Sequence, residues 1–151
     1  MIGSKKDPEF GSVIVFGMGG IATEWFKDIS VGFPSLNQVL ARRLIERTAI
    51  YRHATSSGSL NLRLLEEVLV KFSQLLVDFP EIEEMDINPL IVNENTAVAV
   101  DARVDARAKD GTSVVLRPVK PEDETLFSEL FKSLSEESMR FRFFHIQRPD
   151  S

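Results

Sequence analysis

Glu84-Met85-Asp86-Ile87-Asn88-Pro89-Leu90-Ile91-Val92 and, after a polar break, Ala97-Val98-Ala99-Val100-Asp101-Ala102-Arg103 decide the fold. The break, Asn93-Glu94-Asn95-Thr96, is turn chemistry, because Asn tolerates positive φ. The two runs read as a β-hairpin. With Glu94-Asn95 as loop residues, antiparallel pairing sets Asn88 opposite Asp101 and Asp86 opposite Arg103. Side chains alternate faces along a strand, so Asp86 and Asn88 share one face while Met85 and Ile87 take the other. Cross-strand partners lie about 4.5–5.5 Å apart at Cβ, close enough for Asn88 and Asp101 to hold one cation between them.

Two readings of that face stand. A carboxylate and a carboxamide are hard oxygen donors that suit Mg²⁺ rather than zinc. Alternatively the polar face meets water and Asp86–Arg103 is a surface ion pair. A bulge at Pro89 would shift the register, since proline donates nothing to the ladder.

Composition narrows the class. The chain has 151 residues, room for one domain or a small domain plus a piece of another. A 43% hydrophobic and 27% charged share is that of a globular protein. A net charge of -5 without a basic stripe argues against nucleic acid as partner. With 0 Cys, disulfides, thiolate metal sites and cysteine nucleophiles are excluded. No apolar run reaches membrane-spanning length and no signal-peptide pattern opens the chain, so the expected location is cytoplasmic, with no membrane partner.

Met1 to Gly11 is polar and turn-rich, and no strand is expected there. Ser12-Val13-Ile14-Val15-Phe16 reads as a buried strand, broken by Gly17-Met18-Gly19-Gly20. Gly17 to Ala22 matches the dinucleotide fingerprint G-x-G-x-x-A, but Gly32-Phe33-Pro34 interrupts any crossover helix and no acidic-ended second strand follows. A tight turn into a second strand, Thr23 to Ile29, fits better. Glu24 then either points into the site that Gly17, Gly19 and Gly20 line, or is a solvated strand-face carboxylate.

Asn37 is placed to cap a helix carrying Val39, Leu40, Leu44, Ile45, Thr48 and Tyr51 at helical spacing. Thr55 to Ser59 reads as a flexible loop. Asn61 caps a second helix with the apolar stripe Leu62, Leu65, Val68, Leu69, Phe72, Leu75, Leu76 and Phe79, which is core. Pro80 ends it. Two strands, two helices and two strands predict an α+β layer, helices covering one face of a largely antiparallel sheet.

Several motifs in one order carry a resemblance: Asp7-Pro8-Glu9-Phe10-Gly11, Phe16-Gly17-Met18-Gly19-Gly20, Glu24, Lys27-Asp28, Leu40 to Thr48, Asp78 to Ile82, Asp86-Ile87-Asn88-Pro89 and Val100-Asp101-Ala102-Arg103. Over about residues 5 to 107 the chain resembles the carboxyl-terminal half of the ATP-grasp domain of ADP-forming acyl-CoA (acetyl-CoA) synthetases. The succinyl-CoA synthetase β subunit is a more distant relative. The resemblance implies that Asn88 and Asp101 ligate Mg²⁺ on nucleotide phosphates, with Asp86 supporting them from behind. It further implies a glycine turn and Glu24 at the nucleotide (ATP or ADP). The implied chemistry interconverts acyl-CoA, ADP and phosphate with the acid, CoA and ATP through a phosphohistidine. CoA or acetyl-CoA would then be bound in the parent protein.

Departures from the family pattern are Ser12 in place of proline and a short Thr55–Ser59 segment in place of a longer Gly/Arg loop. The upstream ATP-grasp half and the CoA-binding domains are expected partners lying outside this sequence. Neither His53 nor His145 resembles the phosphorylated histidine. As given, the chain holds half a nucleotide site and no catalytic residue is assigned.

The organisation expected is a subdomain over 1–107, a linker over 108–113 and a second region over 114–151. That region reads as a strand at Val114–Pro118, a helix from Pro121 with acidic residues in its first turn, and a further helical segment ending at Phe141 to Phe144. Leu116-Arg117-Pro118, Pro121-Glu122-Asp123 and Ser135 to Phe144 resemble the start of a GNAT-type N-acetyltransferase. Such a fragment cannot bury its own core, and self-association through residues 114–145 is one outlet. Together the two resemblances imply a fusion similar to protein lysine acetyltransferases. Whether the synthetase-like part is an enzyme or a ligand-sensing module stays open.

Overall fold

The computed structural model describes residues 1–19, 28–57, 60–135 and 137–138. The chain divides into two compact units, Met1–Pro118 and Val119–Ser151. The first unit runs β1 (Ile2–Asp7), β2 (Gly11–Gly17), β3 (Ile29–Gly32), α1 (Gln38–Glu46), α2 (Ala49–Ser57), α3 (Leu62–Asp78), β4 (Ile82–Ile87), β5 (Leu90–Val92), β6 (Ala97–Ala99), β7 (Ala102–Arg107) and β8 (Ser113–Leu116). Six strands form one antiparallel sheet in the order β3-β2-β1-β4-β7-β8, and β5 pairs with β6 in a separate ribbon. This is the α+β layer that the periodicities predict.

The hairpin keeps its expected register. Asp86 faces Arg103, Leu90 faces Ala99 and Val92 faces Ala97. The ladder pauses at Pro89, whose bond to Asn88 is cis. Register survives the pause, because Asn88 N–H donates to the Asp101 carbonyl (3.1 Å) and Val100 N–H to the Pro89 carbonyl (3.0 Å). The irregularity falls instead between Ile82 and Glu84. At the tip, the Asn93 carboxamide oxygen accepts from the N–H groups of Asn95 and Thr96 at 2.8 Å each, an Asx turn.

Where no strand was expected, β1 lies at the centre of the sheet, between β2 and β4. Ile2 and Ser4 face inward with Met85 and Phe16, and Gly3 faces outward beside Asp86. The inner face packs under α1 and α3. Ile2, Ile14, Phe16 and Met85 meet Ala41, Leu44, Ile45, Leu65, Leu69, Phe72 and Leu76 in one buried cluster. Burying a side chain of that size stabilises the fold by roughly 1.5–3 kcal/mol relative to exposure. The Ser73 hydroxyl, fully buried, accepts from Leu36 N–H (2.9 Å) and pins the approach to α1.

Both asparagine caps form. Asn37 accepts from Leu40 N–H (2.9 Å) and Asn61 from Leu64 N–H (3.0 Å). The single helix expected through Tyr51 is two, divided at Arg47–Thr48. The Asp28 carboxylate, brought from the sheet, accepts from Ala49 N–H at 2.8 Å and starts α2 there. Thr55 to Ser57, expected in a loop, are helical, since α2 continues through Ser57. Arg42 of α1 forms an ion pair with buried Glu66 of α3 at 2.5 Å, and its guanidinium lies 6.0 Å from the Tyr51 ring centre.

Residues 108–113, expected as a linker, are the tight connection between β7 and β8. Ala108 N–H donates to Thr112 and Gly111 N–H to Ala108, both at 2.8 Å, with Gly111 at φ 88°. The strand expected to open a second region therefore extends the first unit's sheet, pairing Val104 with Leu116. A short apolar run following a tight turn takes the nearest free edge, which is β7. In the second unit, Lys120 N–H donates to the Asp123 carboxylate (2.8 Å), a 3-10 turn spans Pro121–Asp123, and α4 covers Glu124–Ser133. The Phe127 and Phe131 rings lie 6.4 Å apart along it. The segment Phe141–Phe144 and His145 lie outside the described residues.

Candidate functional site

The outer face of the sheet carries the polar cluster. Asp86 stands between Gly3 on β1 and Arg103 on β7. Arg103 turns along its own strand to Asp105, with Nε and Nη2 each 3.2 Å from a carboxylate oxygen. Lys5 and Glu84 form an exposed pair nearby (3.5 Å). Burial pushes the Asp86 carboxyl above the usual carboxylate range. The Met1 amino group opposes that shift, while Glu84 and Asp101 add to it.

The segment leaving β2 passes beside this cluster at Gly19. The Met1 amino group donates to the Gly17 carbonyl (2.7 Å) and Gly17 N–H to the Met1 carbonyl (3.2 Å), so β1 and β2 stay paired to the end. A Cβ built on Gly19 would stand 2.9 Å from the Asn88 carboxamide oxygen, and one on Gly3 would stand 3.3 Å from Asp86 Oδ1. A Cβ on Gly17 would collide with the Asp28 carbonyl. Of the residues that the sequence singled out, the structure thus gathers Gly17, Gly19, Asp86, Asn88 and Asp101. Gly20 and Glu24 lie outside the described residues. Gly3 was not singled out, because a glycine in a stretch read as turn carries no signal until β1 is recognised as a strand.

Asp86, Asn88 and Asp101 offer side-chain oxygens, the donor type that a hard cation takes. Among the described residues no group of three or more His, Cys, Asp and Glu is arranged to hold a metal, so a site here depends on the Asn88 carboxamide. Beside the turn a cavity of about 270 Å³ is lined by Phe16, Met18, Gly19, Ile50, His53, Leu65 and Leu90 among others. A larger groove of about 460 Å³ runs between Leu75 and Phe79 of α3 and Met85, Val104, Val114 and Leu116, and none of the cluster residues lines it. No helix among the described residues is long and apolar enough to cross a membrane.

Residues 1–105 match the family described as the ATP-grasp domain. The chain belongs to the ATP-grasp family. Within it, the β subunit of acetate–CoA ligase (ADP-forming) I of Pyrococcus furiosus is 36% identical over 107 residues, covering 69% of this chain and 46% of that protein. The 4-hydroxybutyrate–CoA ligase (ADP-forming) of Nitrosopumilus maritimus is 35% identical over 97 residues, covering 62% and 14%. Among solved ATP-grasp structures, PH1788 from Pyrococcus horikoshii superposes with a TM-score of 0.67 at 33% identity, covering 72% of this chain and 48% of its own. The dinucleotide-forming acetyl-coenzyme A synthetase 1 of Ca. Korarchaeum cryptofilum superposes with a TM-score of 0.65 at 31% identity, covering 70% and 51%. That structure is a complex with coenzyme A and Mg-AMPPCP. This ATP-grasp chain thus spans about half or less of the length of the relatives it matches. The family match stops at residue 105, short of the acetyltransferase-like motifs.

Proposed function

We propose that this ATP-grasp chain supplies the Mg²⁺-binding half of a nucleotide site in an ADP-forming acyl-CoA ligase. The observation that carries the reading is the meeting of Asn88 and Asp101 in one hairpin register, with Asp86 beside them and the glycine turn against Asn88. The residues fit a magnesium ion: their donors are hard oxygens, and Gly19 presents no side chain to the Asn88 oxygen. Asn88 and Asp101 would be its protein ligands, and Asp86 would orient them from behind. Bound there, Mg²⁺ would supply positive charge to offset the negative charge that develops in phosphoryl transfer.

The chain's own residues do the rest. By the resemblance, the glycine-rich segment Gly17–Gly20 and Glu24 would contact the nucleotide. The upstream ATP-grasp half, with the phosphohistidine segment and the CoA-binding domains, belongs to the parent protein in this reading. The parent's substrates would be an acyl-CoA such as acetyl-CoA, ADP and phosphate. The reading of the chain beyond β8 as the start of a GNAT acetyltransferase rests on its sequence motifs alone.

The test follows ATP formation by the full-length parent from acetyl-CoA, ADP, phosphate and Mg²⁺, with Asp101→Ala alongside. ATP made by the parent and lost in the variant supports the reading. ATP made at the same rate by Asp101→Ala removes Asp101 from the metal. No ATP from either, with Mg·ADP still bound, leaves a ligand-sensing module instead of a ligase.

A further inference from the structure

Gly19 is glycine for want of space, not for backbone freedom. Its φ lies outside the left-handed region, which among the glycines described is entered only by Gly11 and Gly111. What an added Cβ would meet first is the end of one side chain, the Asn88 carboxamide oxygen at 2.9 Å, followed by the Met1 nitrogen at 3.1 Å. Gly3 repeats the arrangement more loosely, with Asp86 Oδ1 at 3.3 Å. Gly17 differs, since its obstacle is the backbone carbonyl of Asp28, which cannot swing away.

We propose that Gly19 is a positioning residue for the metal ligand Asn88: its bare Cα forms the wall that holds the carboxamide oxygen in place, and Gly3 does the same for Asp86. The inference rests on the magnesium reading of Asn88 and Asp101. Mg²⁺ demands near-ideal octahedral geometry, whereas Ca²⁺ accepts flexible shells. A ligand displaced by a few tenths of an ångström therefore costs Mg²⁺ more than Ca²⁺. Alanine at position 19 would be relieved by movement of the Asn88 side chain, so the fold survives while the ligand is misplaced.

The 151-residue chain, labelled with ¹⁵N, is titrated with Mn²⁺ as a paramagnetic stand-in for Mg²⁺. In the wild type, the Asn88 side-chain NH₂ and Asp101 amide signals broaden first. Gly19→Ala, with an otherwise native spectrum, is expected to need at least about tenfold more Mn²⁺, the loss typical when a ligand's support is removed. The Mg²⁺-to-Ca²⁺ affinity ratio, read by competition against Mn²⁺, should fall in the same variant. Equal response of Gly19→Ala and wild type overturns the positioning role and leaves the metal site standing. No broadening at Asn88 or Asp101 in the wild type overturns both.

Should Gly19→Ala fail to fold, side-chain order in the wild type decides. The Asn88 carboxamide is expected near the rigid-backbone order parameter of about 0.85, and the exposed Asn95 carboxamide below about 0.6. Equal mobility of the two overturns the proposal.

Discussion

Asn88 donates its backbone N–H to the Asp101 carbonyl across 3.1 Å, so the two residues occupy one rung of the hairpin although the ladder is interrupted between Ile87 and Leu90. Their backbones are consequently held side by side where the two strands of the hairpin part. A rung of this kind brings two oxygen-bearing residues together without asking anything of the core.

Asp101 is exposed, and its replacement leaves the buried cluster untouched. Asp101→Ala should keep stability within about 0.5 kcal/mol of wild type, the range of ordinary surface substitutions. Mg·ADP affinity should drop by at least about tenfold. Urea melts and calorimetry on the same sample separate the two effects.

Asp86 gives the site an acid dependence. Its carboxyl titrates above its ordinary value of 3.8 because the fold buries it. Between the unfolded and the raised native pKa the folded state holds more protons, so Asp86's contribution is fully present below the unfolded value and is lost as pH rises through the native one. Asp86→Asn should therefore flatten the acidic limb of the stability profile and make the protein more resistant to urea at pH 7 than wild type. A wild-type profile that rises through this window, and keeps rising in Asp86→Asn, would contradict the assignment.

Asn61 joins α3 to the hairpin tip. Its side chain accepts from Leu64 N–H and donates to the Glu94 carbonyl (2.9 Å), and its own N–H reaches the Asn93 carbonyl (3.3 Å). Asn61→Ala should cost about 1–2 kcal/mol through the lost cap. Amide exchange should accelerate at Asn95 and Thr96 as well as at Leu64. Faster exchange at Leu64 alone would show that the tip holds itself.

Gly17→Ala separates structure from site. Its Cβ would drive into the Asp28 carbonyl and the Ile29 side chain, forcing β2 and β3 apart. Overpacking of this sort costs typically about 1–3 kcal/mol. The melting temperature should fall well below that of Gly19→Ala, whose nearest obstacle is the end of the Asn88 side chain. Equal melting temperatures would mean that the β2–β3 edge yields as easily as Asn88.

The hairpin was legible because two independent signals agreed. A period of two assigned the faces, and the Asn93–Thr96 turn determined which residues met. Asn37 and Asn61 were readable for a similar reason, since a cap is a local event. β1 was not: Lys5, Lys6 and Asp7 look like a loop, and only the flanking β2 and β4 make a strand of them. The break at Arg47–Thr48 carries no glycine or proline. It is imposed by Asp28, which lies far off in sequence. β8 was read as a strand but given to the wrong unit, because a run of apolar residues does not say which edge it will join. Of the site, Asn88, Asp101 and the glycine turn were visible as motifs, while the contact that brings Gly19 to Asn88 depends on β1 lying between β2 and β4.

The central position of β1 also has a consequence in time. Its pairing with β2 closes over a short turn, but Ile2 meets Ile87 and Lys5 meets Glu84 only after the intervening helices have been made. Closing so long a loop delays the contact and slows folding. Until Met85 arrives, the β1–β2–β3 meander waits on the growing chain with β1 as an open edge. The Asp86–Asn88 cluster, seated on the β1–β4 junction, assembles only once that junction closes.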